Sequence, residues 1–447
     1  MILRTTAIET AKTTRKSETS AVTPRLPEIR AEAHFRWNQV KRLRNIVREL
    51  LEDAKGNNKS FPIEFSYEES EYSNERWHFT LWSTSSYPLK SKVLTSDVSD
   101  TFLEFVKAEK IDDGSPGEGL WFADILKYRL IGTWSNNHTD KNVRKEIIDY
   151  LKQWGYEADQ SPFQARHPGL LTQGVSIVRN SKNLNKIFIN HEPIYAACMF
   201  ARFAIDIITS SGARMNELLQ ISYDKKCCIV TVDKSVVPTR KNYIFRLIPK
   251  GREEEENYYM PEEIFQFMHE TIKYLKETYK SDSIPEVEYN VSTRKHLMNN
   301  KRYVFQYNDR HINEFTINSI IRFLLHGLVI QTSEGNQVIV KSHHLRHAFA
   351  THAVQNEKVP IDIVKELLHQ KDLSVTEYYS APTYQQISDT IDNLHDNWAS
   401  IIDIQKGIIR GPIELREIYD DYKGKVGTLS KVVGGICTQQ IRYVQQG

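Results

Sequence analysis

The stretch HHLRHAFATHA, residues 343–353, places four histidines and an arginine on one predicted helix. At about 100° per residue, His343, Arg346, His347 and Ala350 share one side, and Leu345, Ala348, Phe349 and His352 share the other. The second set can anchor the helix to a core. The first gathers polar groups near the positive end of a helix, where phosphate is favoured. Strand-like NQVIVK (336–341) leads into Ser342, a natural N-cap. Three chemistries are open to such a cluster. His343 and His347 sit four apart, as ligands do in HExxH zinc helices, but the glutamate is missing, Arg346 lies between them, and a cation beside a metal is unfavourable. A purely structural helix is the second reading, and the third is the acid–base and anion-binding half of a site completed elsewhere.

Other segments can complete it. SSGARMNELLQIS sets Arg214 and Glu217 three apart, just after a glycine at the mouth of a helix. YIFRLIPKGREEEENYYMP reads as a strand, a tight turn at 249–252 and a returning strand, a hairpin with Lys250 at its tip. VPIDIVKELLHQ reads as a short helix from Pro360 to His369, followed by KDLSVTEYYSAPT with Tyr378 and Tyr379. Each has a plain structural alternative: Arg214 can simply cap its helix, for instance.

In order, SGARMNEL, IPKGRE, HHLRHAFATHA, LLHQ and SVTEYY resemble the tyrosine recombinase (integrase) family, over roughly residues 191–382, under half of the chain. The resemblance implies that a tyrosine hydroxyl attacks a DNA phosphodiester, forming a 3′-phosphotyrosyl link and freeing a 5′-hydroxyl. A second 5′-hydroxyl then reverses the step on another strand, with no ATP, metal or other cofactor. It implies Arg214 and Arg346 as the cations that meet the developing phosphorane charge, since a guanidinium fork matches two phosphate oxygens. His343 is the expected proton acceptor, Lys250 the general acid for the departing 5′-oxygen, and His369 a hydrogen-bond partner of the phosphate. Glu217 is expected to orient Arg214 or its helix, and His347 to brace Arg346. The acidic run Glu253–Glu256 departs from the family's basic hairpins, which makes Lys241 a fallback, and Leu368 stands where the family commonly has glycine. Counting from His369 favours Tyr378 as nucleophile, whereas the Ser374-x-Thr376-x-x-Tyr pattern favours Tyr379, and Tyr379 is the residue expected.

The resemblance also implies a mainly α fold with small β-sheets (α+β) in a multidomain chain, a helical core-binding domain ahead of a mixed catalytic domain. The elements divide accordingly into a flexible tail (1–27), an N-terminal α/β accessory module (28–91), a helical core DNA-binding domain (92–190), the catalytic domain (191–382) and a C-terminal tail for subunit contacts (383–447). The accessory module is expected to bind arm-type DNA, with a protein-interaction role as its alternative. In the tail, Tyr384, Ile387, Ile391 and Leu394 have helical spacing. Expected partners are double-stranded DNA, a homotetramer assembled on two DNA sites, and accessory DNA-bending proteins, for integration, excision or transposition of a mobile element. A telomere resolvase, a type IB topoisomerase-like strand transferase and a catalytically silent DNA-binding regulator remain alternatives.

Bulk composition sets looser bounds. The chain has 447 residues, more than one core usually supports, and 26% of them are charged. Its net charge of +2 does not announce a polyanion partner, but Arg25, Arg30, Arg36, Lys41, Arg42, Arg44 and Arg48 form a local basic stretch. That stretch suits either a phosphate-facing surface or a solvated helix face. Cys198, Cys227, Cys228 and Cys437 show neither disulfide nor zinc spacing and read as reduced thiols. No secretion signal is read at the amino terminus, and no apolar stretch is read as approaching the about 20 residues that a bilayer needs. The expected location is the cytoplasm of a bacterial cell, at the nucleoid, with no membrane partner.

Overall fold

A computed structural model describes residues 13–68, 74–87, 100–128, 130–131, 141–156, 162–163, 170–173, 186–233, 240–291, 295–370, 431–432 and 435–436. They open with a helix, α1, at 13–22. A 3-10 turn, Thr23–Arg25, joins it to the 31-residue α2, Leu26–Gly56, with Pro27 in the first turn. Val22, Ile29, Ala33, Trp37 and Val47 are fully buried at the spacing of an amphipathic helix. The expectation of a flexible tail over 1–27 is therefore corrected from residue 13 onward. Thr19, Val22 and Leu26 are buried, and Val22 and Leu26 belong to the main core.

β1 (Ile63–Glu68), β2 (Glu75–Ser83), β3 (Thr101–Lys110) and β4 (Ile187–Ile189) form one antiparallel sheet in that order. Phe79 pairs with Phe65 on one side and Phe105 on the other, and Leu103 pairs with both Leu81 and Ile189. The expectation that 92–190 is helical is corrected for β3 and β4. TFLEFVKAEK contains helix formers, but cross-strand partners on both sides hold it extended. Helices described in that span are α3 (Ala123–Lys127), α4 (Lys141–Gln153) and α5 (Leu170–Gln173). The sheet thus crosses the expected boundary at 91–92. A single buried cluster runs from Val22 to Ala348, so 28–91 is no separate body.

α6, His191–Ser211, follows β4 directly and is almost wholly buried, packed by α2. Contrary to the sequence expectation, it is long and apolar enough to cross a bilayer, yet 89% of its apolar window is buried inside the protein, as in a central core helix. After α7 (Met215–Leu218), the strands β5 (Cys228–Asp233), β6 (Arg240–Leu247) and β7 (Glu256–Met260) form an antiparallel sheet. α8 (Glu262–Tyr279), the short pair β8 (Gln306–Tyr307) and β9 (Arg310–His311), α9 (Glu314–Leu324), α10 (Ser342–Gln355) and α11 (Ile361–Leu367) follow. The fold is α+β, helices with small antiparallel sheets, as expected. The chain divides into two units, 1–380 and 381–447, and in the second the strands β10 (Lys431–Val432) and β11 (Gly435–Ile436) pair with each other.

Most of the basic stretch of α2 is engaged by carboxylates of the protein, and two of its arginines are buried. Arg36 is buried over Trp121 and donates to the carbonyls of Leu324 (2.9 Å) and His326, where it satisfies the end of α9. Arg44 is buried and bonds Glu192 at 2.9 Å. Lys41 pairs with Glu270, Arg48 with Glu277 (3.0 Å) and Arg30 with Asp206 (3.9 Å). These cations clamp α2 to α6 and α8 instead of forming the phosphate-facing surface that the sequence left open.

Candidate active site

α6 ends at Gly212, whose φ of 65° is left-handed and whose missing Cβ would lie 2.4 Å from Leu368 Cδ2 and 2.8 Å from Phe349 Cδ1. Only glycine fits such a reversal without strain. It hands the chain to Arg214, the extended residue before α7. Glu217, fully buried, turns back toward it: the Arg214 N–H donates to Oε2 at 2.7 Å and Arg214 Nη1 to Oε1 at 3.0 Å. The Lys250 N–H also donates to Oε1, at 3.1 Å, and Arg346 Nη1 lies 3.9 Å from Oε2. Burial pushes this carboxyl up, but the charges of Arg346 and Arg214 and the two backbone donors outweigh burial and hold it below its usual range. Glu217 is thus a shared anchor for two guanidiniums and the hairpin.

Arg346 is 6% exposed. It donates to the carbonyl of Gly212 and, at 3.0 Å, to that of Leu368, joining the ends of α6 and α11. Leu368 is fully buried with Ala350, Ala353 and Val364 and lies against Gly212, so a larger residue at this family glycine position has a packing role. His369 follows at φ 50°. Its Nδ1 meets Glu256 Oε2 at 2.5 Å and its ring lies 4.0 Å from that of Tyr258. Tyr258 itself is buried, and burial together with nearby Glu217 pushes its hydroxyl above the ordinary value of 10.

The expected hairpin is present between β6 and β7, with Arg252 N–H donating to Pro249 O at 3.1 Å and Gly251 at φ 79°. Lys250 is exposed at this turn, and its charge acts on Glu314 at the start of α9. Lys241 lies six residues before Leu247 on β6, about 20 Å away at roughly 3.3 Å per residue. The acidic run is partly answered from within, Glu256 by Arg252 and His369, and Glu255 by Arg246 at 3.8 Å.

His343 is exposed near the start of α10, its ring 4.1 Å from His344 and 6.4 Å from His347. Desolvation by the protein packed around it, then the charges of His344, Lys341 and Arg15, bring its pKa down to about 3. Burial, then His343, Arg346, Arg15 and Arg214, bring His347 down to about 4. Both rings are neutral at pH 7. Two local expectations are corrected. Lys341, not Ser342, is the N-cap of α10 and gives no side-chain cap; the Ser342 N–H instead donates to Asn318 Oδ1 at 3.2 Å. Within 336–341 the strand reduces to an isolated bridge between Gln331 and Gln337.

The structure therefore brings Arg214, Glu217, Lys250 and Arg346 into one neighbourhood. His369 enters it through Leu368 and Tyr258, and His347 through the charges of both arginines. Tyr378, Tyr379 and Cys437 lie outside the described residues. Sequence reasoning missed Gly212, Glu256 and His344, which is fully buried with Nε2 3.1 Å from Glu18 Oε2. A glycine closing an apolar helix was the available signal for the first; the other two depend on contacts between distant segments.

Comparison with curated protein sequences finds no match. Among solved structures, one similar chain is the XerH site-specific recombinase bound to palindromic difH substrate in a post-cleavage complex, with 18% identity, 44% of this chain and 46% of that chain covered, and a TM-score of 0.30. XerA recombinase is similar at 20% identity, with coverage of 45% and 59% and a TM-score of 0.27. The Tn1549 transposon integrase in complex with circular intermediate DNA is similar at 15% identity, with coverage of 52% and 65% and a TM-score of 0.27. This chain spans under half the length of the XerH chain, 46%. The model of the phage integrase family matches residues 177–386, which hold every described member of the cluster around Glu217. Across those residues, just under half of the chain, the sequence matches the phage integrase family.

Proposed function

We propose that the chain is a site-specific DNA recombinase, an integrase that breaks and rejoins double-stranded DNA through a 3′-phosphotyrosine intermediate. The observation that supports it most is the pair of guanidiniums, Arg214 and Arg346, drawn from distant segments onto one buried carboxylate. In this reading the Tyr379 hydroxyl attacks the phosphorus, the bond to the 5′-oxygen breaks, and the new phosphotyrosine keeps the energy of the ester. Arg214, with 27% of its side chain exposed, meets the phosphorane charge, and Arg346 supports it from within. By analogy with oxyanion-hole donors, removing either costs on the order of 10²–10³ in rate. Forming a phenolate at pH 7 costs about 4 kcal/mol, and His343 takes the proton once the negative charge of a bound phosphate beside it raises its pKa from about 3. Lys250 protonates the leaving 5′-oxygen. With Nδ1 of His369 engaged by Glu256, Nε2 is the atom left to meet a phosphate oxygen.

Assembly as a homotetramer on two DNA sites, with accessory DNA-bending proteins, belongs to the same proposal, as does its use in integration, excision or transposition. For the sheet β1–β4 one observation favours protein contact over arm-type DNA binding. On its outer face Arg76 already pairs with Glu68 (2.6 Å), and Lys107 (2.5 Å) and His78 (2.9 Å) with Glu109, which is unlike the cationic footprint of phosphate binding. The test is incubation of the full chain with nicked duplexes taken from DNA flanking its gene. An SDS-resistant protein–DNA adduct is expected. DNA binding without any adduct would overturn the catalytic reading in favour of a silent DNA-binding regulator.

A further inference from the structure

α1 lies at the candidate site. Glu18 reaches the buried His344 at 3.1 Å, and Thr19 and Val22 are buried on the same helix. Arg15 precedes Glu18 by three residues and so shares its face. Consistent with that placement, its charge acts on His343, His344 and His347 together, and Lys341 acts on His343 and His344 from the residue before α10. Along α2, Arg30, Arg36, Lys41, Arg44 and Arg48 each meet a carboxylate. Arg15 is exposed and makes no ion pair among the described residues, and its charge reaches the histidines of α10. With the histidines neutral and Arg214 and Arg346 paired to Glu217, Arg15 and Lys341 are the charges left to attract an anion at this edge, against the single carboxylate of Glu18 that is turned to His344.

We propose that Arg15, carried to the site by the docked helix 13–22 and flanked by Lys341, is an additional DNA-binding side chain that contacts a backbone phosphate beside the one bound by Arg214 and Arg346. The inference rests on the proposed reading of the domain as acting on DNA. The N-terminal helix thereby becomes a working part of the site, joined to it through Glu18 and His344.

The experiment measures binding of a mixed-sequence 30-base-pair duplex by the full chain at several salt concentrations. Arg15→Ala should weaken binding and reduce the slope of log K against log salt by about 0.9, the loss of one phosphate contact. Arg15→Lys should keep the slope. Arg30→Ala, which removes a cation paired to Asp206, should leave it unchanged. A second readout needs no DNA: in histidine proton titrations of the full chain, Arg15→Ala should raise the pKa of His343 and His347. An unaltered chain that binds duplex while Arg15→Ala binds with the same slope would overturn this inference alone. Histidine titrations that do not move would overturn the placement. An unaltered chain that binds no duplex would overturn the DNA reading and this contact with it.

Discussion

Replacing Glu217 by glutamine tests the anchor on which the site is built. The side chain keeps its shape but loses the charge that faces Arg214 and Arg346, and Arg346 is 6% exposed and also donates to the neutral carbonyls of Gly212 and Leu368. Breaking one side of a buried charge network costs about 3–5 kcal/mol, and the retained amide oxygen places Glu217→Gln at the lower end. With an m-value of roughly 3 kcal/mol per molar, the urea midpoint should fall by about 1 M at pH 7, followed by tryptophan fluorescence. The pH dependence has a definite sign. The folded carboxyl titrates below its ordinary value of 4.5, so its stabilisation is present above that value and is lost as pH falls through the folded pKa. The gap between the two proteins should therefore close below about pH 4.5. Midpoints equal at pH 7, or a gap that persists unchanged into acid, would refute the shared-anchor reasoning.

Gly212→Ala should destabilise by about 2–5 kcal/mol in the same assay, because a left-handed φ and a Cβ placed 2.4 Å from Leu368 add strain to overpacking; a loss below 1 kcal/mol would contradict it. Lys250→Ala should slow adduct formation at least tenfold with DNA binding retained, whereas Lys241→Ala should not; the reverse pattern would move the general acid down β6. Deleting residues 1–90 should abolish cooperative unfolding. The deletion strips Ile29, Trp37, Val40, Leu43 and Val47 from the core, each contributing about 1.5–3 kcal/mol, together as large as the stability of a typical domain. A truncated chain that folds and still cleaves DNA would restore an independent accessory module.

What the sequence disclosed was local. Arg214 and Glu217 three apart, the turn at 249–252 and the spacing of α10 each declare themselves within one turn or hairpin, and their geometry follows from short-range rules. What it hid was pairing at a distance. Nothing near Arg36 indicates that its guanidinium closes the end of α9, nor does TFLEFVKAEK reveal β2 and β4 as its neighbours. Glu256 looked like a charge facing the wrong partner until His369 arrived beside it from more than a hundred residues on. The histidines show the same limit: helical spacing orders His343, His344 and His347 around α10, but does not disclose that His344 is buried and paired with Glu18 from more than three hundred residues away.

The central claim, that an aromatic hydroxyl delivered to Arg214 and Arg346 takes up the DNA phosphate, has one direct measurement. Full-length protein trapped on a nicked duplex is digested, and the peptide carrying the nucleotide remnant is sequenced by mass spectrometry. The account predicts the remnant on Tyr379, with none formed by Arg214→Ala or Tyr379→Phe. A remnant on Tyr378 would move the nucleophile by one residue, and a remnant on any non-tyrosine side chain, or an adduct undiminished in Arg214→Ala, would contradict the account.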